Sequence, residues 1–97
     1  MEMRDLAKAI IKNVGGADNA TKVENCMTRV RINVKDDSKI DEAALKETDG
    51  VLGIVHNQQG YVEVVVGPGK CRQVVDICKK EKLFNGADVA PSSDKSD

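Results

Sequence analysis

The segment Asn25-Cys26-Met27-Thr28-Arg29-Val30-Arg31 places a nucleophile, a hydroxyl donor and two cations within a few residues. Arg29 and Arg31 share one face of a predicted strand, because side chains alternate between the two faces of a strand. Guanidinium groups near a thiol favour the thiolate, which is the nucleophilic form of Cys26. The guanidinium fork also matches phosphate oxygens, and Thr28 can donate its hydroxyl to the same anion. This pattern indicates a phosphate that becomes covalently attached to sulfur.

A second interpretation of this segment stays open, because alternating strands often carry arginines on a solvated face and a turn cysteine can be without a role. The other two cysteines, Cys71 and Cys78, lie on an amphipathic helix and are expected to be buried small hydrophobic side chains. Three cysteines without a CxxC pair, after an N-terminus that does not resemble a signal peptide, favour free thiols in a reducing compartment. The ligand clusters of a structural zinc site are missing from the sequence.

Other polar and glycine-rich positions are weaker candidates for chemistry. Gly67-Pro68-Gly69-Lys70 lacks the spacing and the ending of a phosphate-binding P-loop, so we interpret it as a joint between a strand and a helix. We interpret His56, beside a polar turn, as a solvated hairpin residue. The Asp36-Asp37 pair fits a turn.

The elements that must position these residues follow from the hydrophobic pattern. Apolar residues at helical spacing predict a first helix, which Gly15-Gly16 ends. Asp41 is predicted to cap a short helix over 42–47, with Ile40 and Leu45 as a hydrophobic staple. The remaining segments predict strands over 22–25, 28–35, 51–56 and 61–66 and a last helix that opens at Gly67-Pro68-Gly69.

The order helix-strand-strand-helix-strand-strand-helix has short links, which favour hairpins. We therefore expect an α+β two-layer sandwich, with a four-stranded, mostly antiparallel sheet and three helices on one face.

Length and composition restrict the function classes. The chain has 97 residues, which allows one domain, and we place it at 1–84 with a flexible linker or tail over 85–97. A formal net charge of -1 and 2% aromatic residues argue against a nucleic-acid binder, which needs a basic excess and stacking platforms. No apolar run is long enough to span a membrane.

Three landmarks resemble the glucose-type enzyme IIB domains of the bacterial sugar phosphotransferase system. The segment 25–31 is similar to the phosphocysteine motif of that family, with Val30 in place of the usual leucine. Gly50-Val51-Leu52-Gly53-Ile54-Val55 and Tyr61-Val62-Glu63-Val64-Val65-Val66-Gly67 resemble two later landmarks. The resemblance covers residues from about 4 to 82, and the Gly67-Pro68-Gly69-Lys70 segment is similar to the branch associated with N-acetylmuramic acid.

The resemblance implies a mechanism and partners. Cys26 would take a phosphoryl group from a phosphohistidine on a IIA domain or protein and pass it to a sugar bound by the membrane-embedded IIC domain. Arg29 and Arg31 would assist the transfer to sugar, and Thr28 would lie near the phosphate. The family uses no cofactor or metal in this domain, which lies on the cytoplasmic side of the membrane within a larger transporter. We expect the isolated chain to be monomeric.

Two alternatives belong to other classes. One is a regulatory or binding module of the same fold whose cysteine no longer carries phosphate, although the presence of Cys26 with both arginines favours the carrier. The other is a thiol redox sensor, which is disfavoured because no resolving cysteine lies near Cys26 in the sequence.

Overall fold

A computed structural model of the chain describes residues 2–85. It shows the predicted α+β sandwich, in which helices pack against one face of a four-stranded antiparallel sheet. The tail predicted over residues 85–97 lies, apart from Asn85, outside the described residues. The elements are α1 (Met3–Asn13), β1 (Ala20–Cys26), β2 (Arg29–Val34), a 3-10 turn η1 (Asp37–Lys39), α2 (Glu42–Glu47), β3 (Gly53–Val55), β4 (Tyr61–Val65) and α3 (Lys70–Lys80).

The helix ends form where the local sequence predicts them. Gly15 and Gly16 follow α1 with φ values of 110° and 88°, which glycine adopts without steric cost. The Asp41 carboxylate accepts a hydrogen bond from the N–H of Ala44 at 3.0 Å, so it caps α2. Only η1 has no counterpart in the prediction, which treated this segment as a turn.

The strands lie in the order β1-β2-β4-β3, and every neighbouring pair is antiparallel. The strand β2 therefore lies in the interior of the sheet, paired with β1 through a tight hairpin and with β4 on its other side. Because residues alternate along β2, Val30, Ile32 and Val34 are buried while Arg29 and Arg31 lie on the opposite face.

The core lies between the helices and this buried face of the sheet. It is mostly aliphatic, and the inward residues of β2 and β4 meet the apolar stripes of α1 and α3. As a result the other face of the sheet carries mostly polar side chains. No helix of residues 2–85 packs on this face, which we call the open face, and it holds the residues that could take part in chemistry. The largest fully buried side chains are Leu6, Ile10, Ile32, Leu45, Val14, Val23, Val30, Val62, Val64, Val66, Val74 and Cys71.

Candidate functional site

The turn between β1 and β2 presents Cys26 to solvent. Cys26 is the last residue of β1 and pairs directly with Arg29, the first residue of β2, so the two side chains lie on the same face of the hairpin. Met27 and Thr28 form the two-residue turn between them, and Met27 has a φ of 56° with 87% of its surface exposed. Non-glycine residues rarely adopt this left-handed conformation, and such strain is common at functional sites.

Hydrogen bonds from the segment that follows β4 and from α3 hold this turn in place. The Thr28 carbonyl accepts the N–H groups of Val66 and Gly67 at 3.1 and 3.0 Å. The Cys71 thiol donates to the Met27 carbonyl, with Sγ 2.9 Å from the oxygen. Both carbonyls of the turn are therefore engaged. The Gly67-Pro68-Gly69 segment is the predicted joint between β4 and α3, and its first residue, Gly67, also supports the turn.

Both arginines reach β4 across the open face. Arg29 Nη1 donates to Glu63 Oε1 at 2.8 Å, and the guanidinium of Arg31 lies 4.1 Å from the centre of the Tyr61 ring. Stacking on an aromatic face is a favourable arrangement for a guanidinium group. Each of the two arginines on the face that carries Cys26 thus has a partner on β4.

A recess opens at this end of the open face, and its walls are Cys26, Met27, Thr28, Arg29 and Glu63. Three of the four site residues predicted from sequence line it, whereas Arg31 lies two residues farther along β2. Sequence reasoning missed Glu63, since it lies 34 residues from Arg29 along the chain. The available indication in the sequence was a charged residue alternating with valines in the predicted strand 61–66.

The other two thiols have the buried environment predicted for them. Cys71 and Cys78 are both in the core on the inward side of α3. Burial raises the pKa of the Cys78 thiol to about 12, because the apolar surroundings disfavour the thiolate. Cys78 is therefore protonated at neutral pH and is not a nucleophile.

The prediction for His56 was wrong. Its side chain is 15% exposed and lies between two carboxylates, with Nε2 2.7 Å from Asp37 and Nδ1 2.6 Å from Glu42. These contacts raise the pKa of His56 above 6.5, and the contact with Asp37 has the larger effect. The reason is that both ring nitrogens can donate only when the imidazole is protonated. The residue connects β3 to η1 and α2, away from Cys26.

Residues 2–85 contain neither a membrane-spanning helix nor a clustered metal site. No helix there is both long enough and apolar enough to cross a membrane. Within the same residues, no group of three or more His, Cys, Asp or Glu side chains is arranged to hold a metal ion.

Comparisons with a family model and with known proteins agree on the family of this chain. The model of the phosphotransferase system EIIB family matches residues 8–41, which include the turn with Cys26. Proteins of the Staphylococcus aureus strains USA300 and NCTC 8325, both named PTS system MurNAc-GlcNAc-specific EIIBC component, are 48% identical over 73 residues, or 75% of this chain. The chain spans about 15% of the length of these relatives.

A solved structure shares the fold. It is the crystal structure of one domain of the PTS system IIabc component from Clostridium difficile, with a TM-score of 0.76 and 28% sequence identity over 84% of both chains. The shared fold, the matching family model and the close relatives agree, and we conclude that this chain belongs to the EIIB family of the phosphotransferase system.

Proposed function

We propose that this chain is a phosphoryl carrier in sugar uptake and that Cys26 is the residue that carries the phosphoryl group. The observation that supports it best is the exposed Cys26 thiol at a tight turn, paired in register with Arg29 and opening into a recess that Thr28 also lines. A carrier thiol has to be reached by a donor and then by an acceptor, and an exposed turn meets this requirement.

The first step transfers the phosphoryl group from a phosphohistidine of a IIA domain or protein. The sulfur of Cys26 attacks phosphorus, an S–P bond forms, and the P–N bond breaks with its electron pair returning to the imidazole. The proton lost by the thiol is balanced by the proton gained at the imidazole nitrogen. Positioning and charge stabilisation are the main contributions that a protein makes to such a step.

The second step passes the group to a sugar hydroxyl at a IIC domain. The hydroxyl oxygen attacks phosphorus, an O–P bond forms, the S–P bond breaks, and the hydroxyl proton is balanced by reprotonation of the thiolate. Arg29 and Arg31 stabilise the negative charge on the phosphoryl oxygens during this step. The names of the relatives point to a MurNAc- or GlcNAc-containing sugar, and the domain would work on the cytoplasmic side of the membrane.

A transfer assay tests the role of Cys26. The chain is incubated with a phosphorylated IIA donor, and incorporation of phosphate is measured for the wild type and for Cys26→Ser, Cys71→Ser and Cys78→Ala. We expect Cys26→Ser to abolish incorporation, because a serine hydroxyl is a poor nucleophile without a base. Cys71→Ser keeps a donor to the Met27 carbonyl, so it and Cys78→Ala should retain incorporation. Incorporation that persists in Cys26→Ser contradicts the proposal and favours a module whose cysteine has no phosphoryl role.

A further inference from the structure

The recess beside Cys26 contains a carboxylate, which is unexpected in a place that should receive a phosphoryl dianion. The Glu63 side chain is 15% exposed, against 45% for its partner Arg29, and its Oε1 accepts from Arg29 Nη1 at 2.8 Å. A negative group so close to a phosphoryl site repels the incoming charge unless its interaction with Arg29 has a function of its own.

The strand register shows where the arginine is held. Arg29 pairs with Val65 on β4, but its guanidinium bonds Glu63, two residues farther from the turn. Arg31 shows the same displacement, since it pairs with Glu63 and stacks on Tyr61. Both guanidinium groups therefore lean along β4 away from the turn that holds Cys26.

We propose that Glu63 is a positioning residue that holds Arg29 while Cys26 is unphosphorylated and releases it to the phosphoryl oxygens once the S–P bond has formed. The inference rests on the proposed function of Cys26. It adds a specific role for Glu63, which is an anion that the phosphoryl group replaces as the partner of Arg29.

The proposed exchange requires Arg29 to bind the phosphoryl group more strongly than it binds Glu63. Arg29 is partly exposed, and an ion pair near solvent is weak. A phosphoryl dianion offers more charge and two oxygens to the guanidinium fork, so it is the stronger partner. After the exchange, the Glu63 carboxylate is left near the phosphoryl group, and the repulsion between these anions lowers the stability of the phosphocysteine. Glu63 thereby keeps the group ready for onward transfer.

The substitution Glu63→Gln tests the role, because it keeps the size and an oxygen acceptor but removes the charge. At equilibrium with a phosphorylated IIA donor, the ratio of phosphorylated to free chain should rise by about three- to tenfold, the range expected for one unfavourable charge pair near a protein surface. If Glu63 had only a structural role, the ratio of phosphorylated to free chain would fall in Glu63→Gln, since a loosened site would bind the phosphoryl group less well.

Glu24→Gln is the matched control. Glu24 lies on β1, on the same open face and opposite Arg31, and its carboxylate pairs with Lys22 at 3.5 Å. We expect this variant to leave the equilibrium ratio at the wild-type value. A ratio that is unchanged or lower in Glu63→Gln, with the wild type phosphorylated normally, overturns the inference alone. A wild type that accepts no phosphoryl group contradicts the proposed function, and the inference falls with it.

A second measurement needs no variant. The ¹⁵N resonance of the Arg29 side chain is followed in the wild type before and after phosphorylation. If phosphoryl oxygens replace Glu63 as the partner of Arg29, the ¹⁵N resonance of Arg29 should shift clearly on phosphorylation. An Arg29 resonance that does not move on phosphorylation overturns the inference.

Discussion

Three cysteine side chains of this fold differ in the surroundings of the sulfur, and this difference decides which of them can react. Cys26 is exposed at a turn, whereas Cys71 and Cys78 are buried on α3. The buried pair is not equivalent either, because the Cys71 thiol donates to the turn carbonyl of Met27 and Cys78 has only apolar burial. At the scale of single residues, exposure is what distinguishes Cys26, the proposed nucleophile, from the other two thiols.

Arg29 and Arg31 should contribute more to the transfer from Cys26 to sugar than to the acceptance of the phosphoryl group. Arg29→Lys and Arg31→Lys keep the positive charge but remove the planar fork that matches phosphoryl oxygens. We expect each variant to slow transfer from Cys26 to sugar by about tenfold or more, as the loss of one aligned donor to a developing anion does, while acceptance changes by less than about threefold. Rapid-mixing measurements of the two half-reactions separate these rates. Equal losses in both half-reactions would contradict a preferential role of the arginines in the transfer to sugar.

Met27 is a candidate docking residue for both partners, since it is a large apolar side chain with 87% of its surface exposed beside Cys26. Met27→Lys places a charge at the centre of a transient interface, so we expect phosphoryl acceptance from the IIA donor to fall by about tenfold through a weaker complex. Met27→Leu keeps the apolar surface and the same backbone position, and it should stay near the wild-type rate. An unchanged rate in a folded Met27→Lys variant would exclude this docking role.

Among the secondary-structure elements, two connections fix the geometry of the site. The segment after β4 holds Thr28 of the β1–β2 turn, and Cys71 on α3 holds Met27 of the same turn, each through hydrogen bonds to a turn carbonyl. At the other end of the sheet, Asp37 accepts from His56 and from the N–H of Gly60 at 2.9 Å, so η1 is attached to the β3–β4 hairpin. The hairpin that supplies Glu63 is therefore anchored at both ends.

The His56 contacts make stability depend on pH. Since folding raises the pKa of His56 above 6.5, its contribution is fully present below pH 6.5 and is lost as the pH rises through the raised value. Asp37 behaves in the opposite sense. Its pKa is lowered below 3.8, mainly by the His56 hydrogen bond, so its contribution is lost as the pH falls through that lowered value.

We therefore expect the thermal midpoint of the wild type to fall by a few degrees relative to His56→Gln as the pH rises from about 6 to about 9. Thermal unfolding followed by circular dichroism at a series of pH values measures it. The glutamine variant is the control because it is neutral throughout and keeps an N–H donor at this position. Parallel curves for the two proteins would mean that the imidazole charge does not stabilise the fold.

For the whole molecule, local patterns predicted the element order, whereas contacts between distant segments could not be predicted. The stripe of α1, the Gly15-Gly16 stop and the Asp41 cap each depend on residues a few positions apart, so they are readable from sequence. The partners of Arg29 and His56 depend on the register between β2 and β4 and on the placement of η1. A single sequence does not specify these distances, and for this reason Glu63 was missed and His56 was misinterpreted.

The architecture also separates the core from the site. The helices cover one face of the sheet, and the open face is left to carry Cys26, the arginines and Glu63 at one end. The packing of the core and the candidate site therefore use opposite faces of the sheet, within a chain that spans about 15% of the length of its EIIBC relatives. The proposed carrier role uses only that edge.

The central claim is tested most directly by locating the phosphoryl group on the wild-type chain. After incubation with a phosphorylated IIA donor, the chain is digested under conditions that preserve S–P and N–P bonds, and the peptides are analysed by mass spectrometry. We predict one phosphoryl group on the peptide that contains Cys26, held on sulfur. A phosphoryl group on His56, the single histidine of the chain, or no phosphoryl group at all would contradict the proposed role of Cys26.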